Sequence, residues 1–147
     1  MKIFLRIASL VALLQFAAHT TLLLQYVPRH GPDEVRVVEV MKSYRFDFHG
    51  SQPHSYWDMY LGYGLFAAFN CLIEALLFWF LSSRPDKALI AILLIANLCY
   101  AAMVYRWFFF IPLYADLVIA VCLTAALFSA SRNRHVTGTL IQSTNSL

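Results

Sequence analysis

Two ionisable side chains, His19 and Glu74, lie inside long apolar runs of a 147-residue chain. A carboxyl and an imidazole are the usual partners in general acid–base chemistry. An ionised group near the centre of a bilayer costs about 3 kcal/mol or more, so packing alone would favour an apolar residue at either position. The two are therefore expected not both to be merely structural, and they are the catalytic candidates. Weaker polar groups share the apolar runs. At 100° per residue, Ala8, Ala12, Gln15, His19 and Tyr26 fall on one face of a first helix, and Tyr63, Asn70 and Glu74 form a stripe on a second. Asn97 lies midway along a third apolar run, with Tyr100 close to its face. A rise of 1.5 Å per residue puts Asn70 and Asn97 near the midplane, His19 about 3 Å to one side and Glu74 about 7 Å to the other. Tyr63, Asn70, Asn97 and Tyr100 are thus candidate ligand-binding residues along one polar path. Packing accounts for the amides too, because Asn and Gln commonly hydrogen-bond across membrane helices for about 0.6 to 2 kcal/mol each.

Other chemistry finds less support. Asp58, Arg106 and Asp116 are expected near helix ends, with Arg106 and Asp116 flanking one turn as an ion pair. His30, His49 and His54 share a polar loop with several acids but lack ligand-like spacing, so no metal site is expected. Cys71, Cys99 and Cys122 sit inside apolar runs without a CxxC pair and read as small packing residues. No glycine-rich phosphate loop or GxSxG is present, and no cofactor is expected. Gly62 and Gly64 lie within an apolar run, where close helix packing accounts for them.

The elements that must position these residues follow from composition. The chain is 61% hydrophobic and 13% charged, displaced from soluble domains in the direction of membrane proteins. Four spans of about 20 residues would use roughly 80 residues. The apolar runs give spans over 7–27, 57–81, 88–107 and 113–130, forming a single domain over 1–130. A cleaved signal peptide is the rival for the first run. Its apolar character continues past His19 to Val27, and Phe16 backs the best small-residue site, Ala17–Ala18, so an uncleaved helix is expected. Gly31-Pro32-Asp33-Glu34 opens a short amphipathic helix over 33–44, with Val35, Val38 and Met41 at helical spacing. Ser55-x-x-Asp58 has capping-box spacing ahead of the second span. Pro85 suits the start of the third, and Pro112 predicts a bend before the fourth. The tail, 131–147, reads as polar and disordered. The expected fold is an all-α, four-transmembrane-helix up-down bundle with one loop helix.

Within the second span, Gly64, Ala68, Cys71 and Ala75 form a small-residue stripe, opposite Phe66, Phe69, Ile73 and Phe80, which are assigned to lipid. Tyr26, Tyr56, Trp57, Tyr60, Tyr105, Trp107 and Tyr114 gather at one end of the spans as an aromatic belt. The scattered basic residues, at a net charge of +3, form no nucleic-acid surface. Lys2, Arg6, Arg84, Lys87, Arg132 and Arg134 share one side of the bundle, close to helix ends. The opposite side carries Arg29, Arg36, Lys42, Arg45 and Arg106, mostly in a long loop that also holds acids. The positive-inside bias then places both termini in the cytoplasm.

On Ala17-Ala18-His19, a long first loop and Tyr56-Trp57-Asp58-x-Tyr60-x-Gly62-Tyr63-Gly64, the chain resembles the small bacterial four-helix membrane proteins that are DoxX-like. This resemblance implies a bacterial inner membrane. In topology alone it is also similar to the emopamil-binding, sterol-isomerase-like family, from which no residue role is carried over. Three function classes stay open. The first is a non-enzymatic membrane component, in contact with lipid and with another membrane protein or a second copy. The second is a protein that binds a lipophilic small molecule, or an isomerase, using Glu74 and His19. The third is a proton or small-solute path. For orientation, a reporter fused after Leu147 should be active in the cytoplasm and one inserted near Ser51 outside. The opposite pair of readings would reverse the assignment.

Overall fold

A computed structural model of the chain describes residues 1–47, 50 and 52–144, those from 130 onward as backbone only. The elements are α1 (Lys2–Leu24), α2 (Pro32–Ser43), β1 (Arg45–Phe46), β2 (His54–Ser55), α3 (Tyr56–Ser83), α4 (Lys87–Trp107) and α5 (Phe110–Thr144). Four of these helices are long and apolar enough to cross a membrane: α1, α3, α4 and the Phe110–Ser129 portion of α5. At 1.5 Å per residue even the shortest reaches about 30 Å, the thickness of the hydrocarbon layer.

Helix ends follow local chemistry. Gly31, at φ 95°, precedes α2 and lets Pro32 take the first helical position. Ser55 and Asp58 close a capping box. The Ser55 amide and hydroxyl both donate to the Asp58 carboxylate at 2.8 Å, and the Asp58 amide donates to Ser55 Oγ at 3.2 Å. Before α4 the expected role of Pro85 falls to Asp86, whose carboxylate accepts from the Leu89 amide at 3.1 Å. A carboxylate can satisfy a free N–H of the first turn, which proline cannot.

Three boundaries differ from the sequence reading. α1 begins at Lys2, because the flanking basic residues join the helix instead of preceding it. α5 begins at Phe110, a turn earlier than expected, which carries Pro112 into its first turn. α5 also runs on to Thr144, through the segment read as a disordered tail. Extending an existing helix costs far less than nucleating one, and polar composition alone does not stop it. His49 and residues 145–147 lie outside the described residues.

The chain divides into two compact units. The first comprises Met1–Gln15 and Leu72–Leu147. Its core joins Leu5, Ala8 and Ala12 of α1, Ala75, Phe78 and Leu81 of α3, Ile90 of α4, and Ile119, Cys122, Leu123 and Ala126 of α5. Ser9 Oγ donates to the Ala75 carbonyl at 2.7 Å, and the Arg6 guanidinium lies 5.1 Å from the Trp79 ring centre. Moving up α1 therefore means moving down α3. α4 packs along α5. Alanines dominate the α1 face, so backbones come close and dispersion replaces a hydrophobic drive that lipid cannot supply.

The second unit is Phe16–Cys71. β1 and β2 pair antiparallel, Arg45 opposite Ser55 and Phe46 opposite His54, a small hairpin that the sequence reading lacks. Two-residue strands carry no periodicity to read. Where α1 meets α3, Gly64 faces Leu23 so closely that a Cβ there would lie 2.7 Å from both Leu23 methyls. The small-residue stripe is thus a packing face, with Ala68 and Ala75 buried. The outward face is as expected, since Phe66, Phe69, Ile73 and Phe80 are all more than half exposed.

Gly64→Ala should force Leu23 into a new rotamer and cost about 1 to 3 kcal/mol. Gly62→Ala, where a Cβ meets open space, should change the thermal midpoint in detergent little. Equal midpoints for the two variants would contradict this packing.

Candidate functional site

In the first unit, half-buried Gln15 of α1 meets buried Asp116 of α5. Gln15 Nε2 donates to Asp116 Oδ1 at 3.0 Å and, more weakly, to the Pro112 carbonyl at 3.5 Å. Asp116 is buried. Its expected partner was Arg106, but that guanidinium lies 5.6 Å from the Trp107 ring centre instead. The early start of α5 is the reason. It sets Asp116 a turn deeper, on the same face as Ile119 and Leu123, while Arg106 stays in the last turn of α4. Glu74 is half-buried one residue before Ala75 and lies within electrostatic range of Asp116. Among the described residues, the only ion pair between side chains is His30 with Glu34, outside the spans. Neither Glu74 nor Asp116 therefore forms an ion pair among the described residues.

Asn97 is 1% exposed, and neither its Oδ1 nor its Nδ2 has a hydrogen-bond partner. Such a group ordinarily finds a partner, since leaving it unpaired costs about 1 to 3 kcal/mol. Tyr100, by contrast, is 43% exposed and lines no interior.

The other predicted residues belong to the second unit. His19 is half-buried on α1. Asn70 donates to the Phe66 carbonyl one turn back at 3.1 Å, so part of its amide is satisfied within α3. Tyr63 is 71% exposed, as open as Phe66, and is not on an inward stripe. Its sequence neighbour Gly64 takes the packing position because only a residue without a side chain fits beside Leu23. The sequence stripe thus separates into Tyr63 facing outward, Asn70 bonding to its own helix and a half-buried Glu74.

Glu34 is the polar anchor that sequence reasoning undervalued. Its carboxylate accepts from the Tyr26 hydroxyl at 2.5 Å, the Arg29 amide at 2.5 Å and the His30 amide at 2.6 Å, with His30 Nδ1 at 3.2 Å. These bonds hold its pKa down to about 2, the Tyr26 hydroxyl contributing most, and push the Tyr26 phenol up to about 12. The signal is the Pro-Asp-Glu opening of α2, which marks a helix start with acids that complement the dipole but does not reveal the partners of Glu34. Around this latch the belt aromatics touch one another. Tyr26 lies 5.3 Å from Trp57, which stacks on Tyr60 at 5.3 Å, and Tyr56 stacks on Tyr44 at 5.9 Å. Lys42 Nζ sits 4.8 Å from the Trp57 ring centre, so α2 is pinned at both ends.

The pH dependence of the latch follows from these shifts. Glu34 has a folded pKa below its ordinary 4.5, so its contribution is complete above 4.5 and is lost as pH falls through about 2. Tyr26, raised from 10.0, contributes fully below 10 and loses its part as pH rises through about 12. Glu34→Gln should lose the charge-assisted bonds and speed hydrogen exchange at the Arg29 and His30 amides at neutral pH. Unchanged protection there would contradict the latch.

Comparison of the chain with family models, curated proteins and solved structures finds no match.

Proposed function

We propose that the chain is a non-enzymatic, multi-pass component of a cell membrane. It is an up-down bundle with both termini in the cytoplasm and the α2 loop outside. The carrying observation is the bond from Gln15 to Asp116. The best-placed polar groups of the spans join helix to helix instead of converging on a reaction centre, and Ser9 does the same for α1 and α3. The opposed course of α1 and α3 and the two-residue link between α4 and α5 support the up-down arrangement. Exposed Val35, Val37 and Val40 on α2, close to the span ends, support a helix lying at the bilayer surface. Kinship with the DoxX-like proteins belongs to the same proposal and rests on the Ala17–His19 and Tyr56–Gly64 segments alone.

One observation favours a second reading, a protein that binds a lipophilic molecule. Asn97 has both amide atoms unpaired, and Glu74 has no hydrogen bond of its own. A hydroxyl of a bound molecule would satisfy Asn97, donating to its Oδ1 or accepting from its Nδ2.

Native mass spectrometry of the purified protein separates the readings. The assembly reading expects no retained lipophile, and a Gln15→Leu variant whose melting midpoint drops by the equivalent of about 1 to 2 kcal/mol. A retained lipid, sterol or quinone that disappears in folded Glu74→Gln and His19→Ala variants would replace it with the binding reading.

A further inference from the structure

We propose that Arg6 and Arg84, held on the exposed rings of Trp79 and Phe80, form a binding site for the phosphate headgroup of an anionic phospholipid. The site names the lipid that the membrane-component reading leaves open, and it rests on the chain spanning a membrane.

Three observations within the first unit carry it. The Arg6 guanidinium lies 5.1 Å from the Trp79 ring centre, and that of Arg84 lies 6.0 Å from the Phe80 ring centre. Trp79 and Phe80 are successive residues near the C-terminal end of α3, so α1 and α3 bring two cations to one short stretch of helix. Both arginines are exposed, and neither forms an ion pair among the described residues. The second observation is charge. Lys2 opens α1 and Lys87 opens α4 at the same end, while the acid of the α3–α4 turn, Asp86, is taken up by the Leu89 amide at 3.1 Å. The next acid back along α3 is Glu74, five residues before Trp79 and about 7.5 Å deeper. The third is the stripe beneath. Phe69, Ile73 and Phe80 lie on one outward face of α3, each more than half exposed. The Arg84 amide donates to the Phe80 carbonyl at 3.0 Å, so the helical course carries on to Arg84 at the top of that face. Eleven residues separate Phe69 from Phe80, a rise of about 16 Å, close to the hydrocarbon depth of one leaflet.

Charge and shape name the occupant. A ring face attracts a guanidinium but cannot accept its fork of N–H donors, whereas phosphate oxygens accept them two at a time. Side chains on a helix lean toward its N-terminus, which aims Arg6 at the end of the bundle where headgroups lie. A zwitterionic headgroup brings its own cation with its phosphate, so an excess of basic groups selects an anionic one. A soluble phosphate would use the guanidiniums alone. A phospholipid uses the whole arrangement, its head at Arg6 and Arg84 and an acyl chain along Phe80, Ile73 and Phe69.

The test reconstitutes the full-length protein in phosphatidylcholine vesicles. A small share of the lipid, either phosphatidylglycerol or phosphatidylcholine, carries a diazirine on one acyl chain. After illumination, adducts are mapped by peptide mass spectrometry. Residues 69–80 should be labelled about fivefold more by the phosphatidylglycerol probe, the preference one basic group earns at a membrane surface. Ile95 and Val121, exposed in the middle of α4 and α5, should be labelled equally by both probes. In Arg6→Gln/Arg84→Gln the preference at 69–80 should vanish. If that variant does not fold, Arg6→Lys and Arg84→Lys, which keep the charge and lose the fork, should each lessen it. Replacing chloride with inorganic phosphate at equal ionic strength should leave it unchanged. Three results would overturn the proposal and leave the spanning reading standing: equal labelling of 69–80 by the two probes, a preference that survives in the folded variants, or its loss in inorganic phosphate, which would assign the arginines to a soluble anion. No labelling of α3, α4 or α5 by either probe would overturn the spanning reading and the proposal with it.

Discussion

Hydrocarbon offers no hydrogen bonds, and this absence governs the rest of the structure. Each backbone N–H and C=O inside the bilayer must find its partner within the protein, which leaves the helix as the natural spanning form for this chain. Polar side chains answer to the same rule. Ser9 turns to the Ala75 carbonyl, Gln15 to Asp116, and Asn70 to the carbonyl one turn behind it. Asn97 stands outside the rule, and that isolation is what makes it informative.

Because lipid is as apolar as leucine, burial cannot drive these helices together as it would in water. Close fit takes its place. The alanines of α1, Ala68 and Ala75 of α3, and Gly64 against Leu23 bring backbones near enough for dispersion and short side-chain hydrogen bonds to act. Large apolar groups go the other way. Phe66, Ile95, Val121 and Phe128 are all more than half exposed, an inversion of a soluble protein that suits a lipid surround.

Outside the four long apolar helices the chemistry changes. Glu34 is a charged acceptor gathering the Tyr26 hydroxyl and two loop amides, while Lys42 and the stacked aromatics hold the far end of α2. Aromatic rings with polar tips suit such a boundary, being apolar on their faces and able to hydrogen-bond at their edges. The loop is thereby tied to the ends of the two helices it connects, and its order depends on charge and ring contacts more than on any buried core.

The sequence by itself determined the four long apolar helices, the loop helix, the capping box at Ser55, the outward-facing aromatics of α3 and its small-residue packing face. Each of these is written in local composition or in a period of 3.6 residues, and hydrocarbon makes such periodicity decisive. Only the tertiary structure decided which polar groups meet. Tyr63 and Gly64 are adjacent in sequence but about 100° apart around α3, and contact with Leu23 selected the glycine's side for the interior. Asp116 read as a helix-end acid paired with Arg106, until a one-turn shift in the start of α5 carried it inward to Gln15, distant by 101 residues in sequence. Pairings of that kind depend on register between helices, which no single helix encodes, because each can slide by a turn along its neighbour and still present the same apolar face.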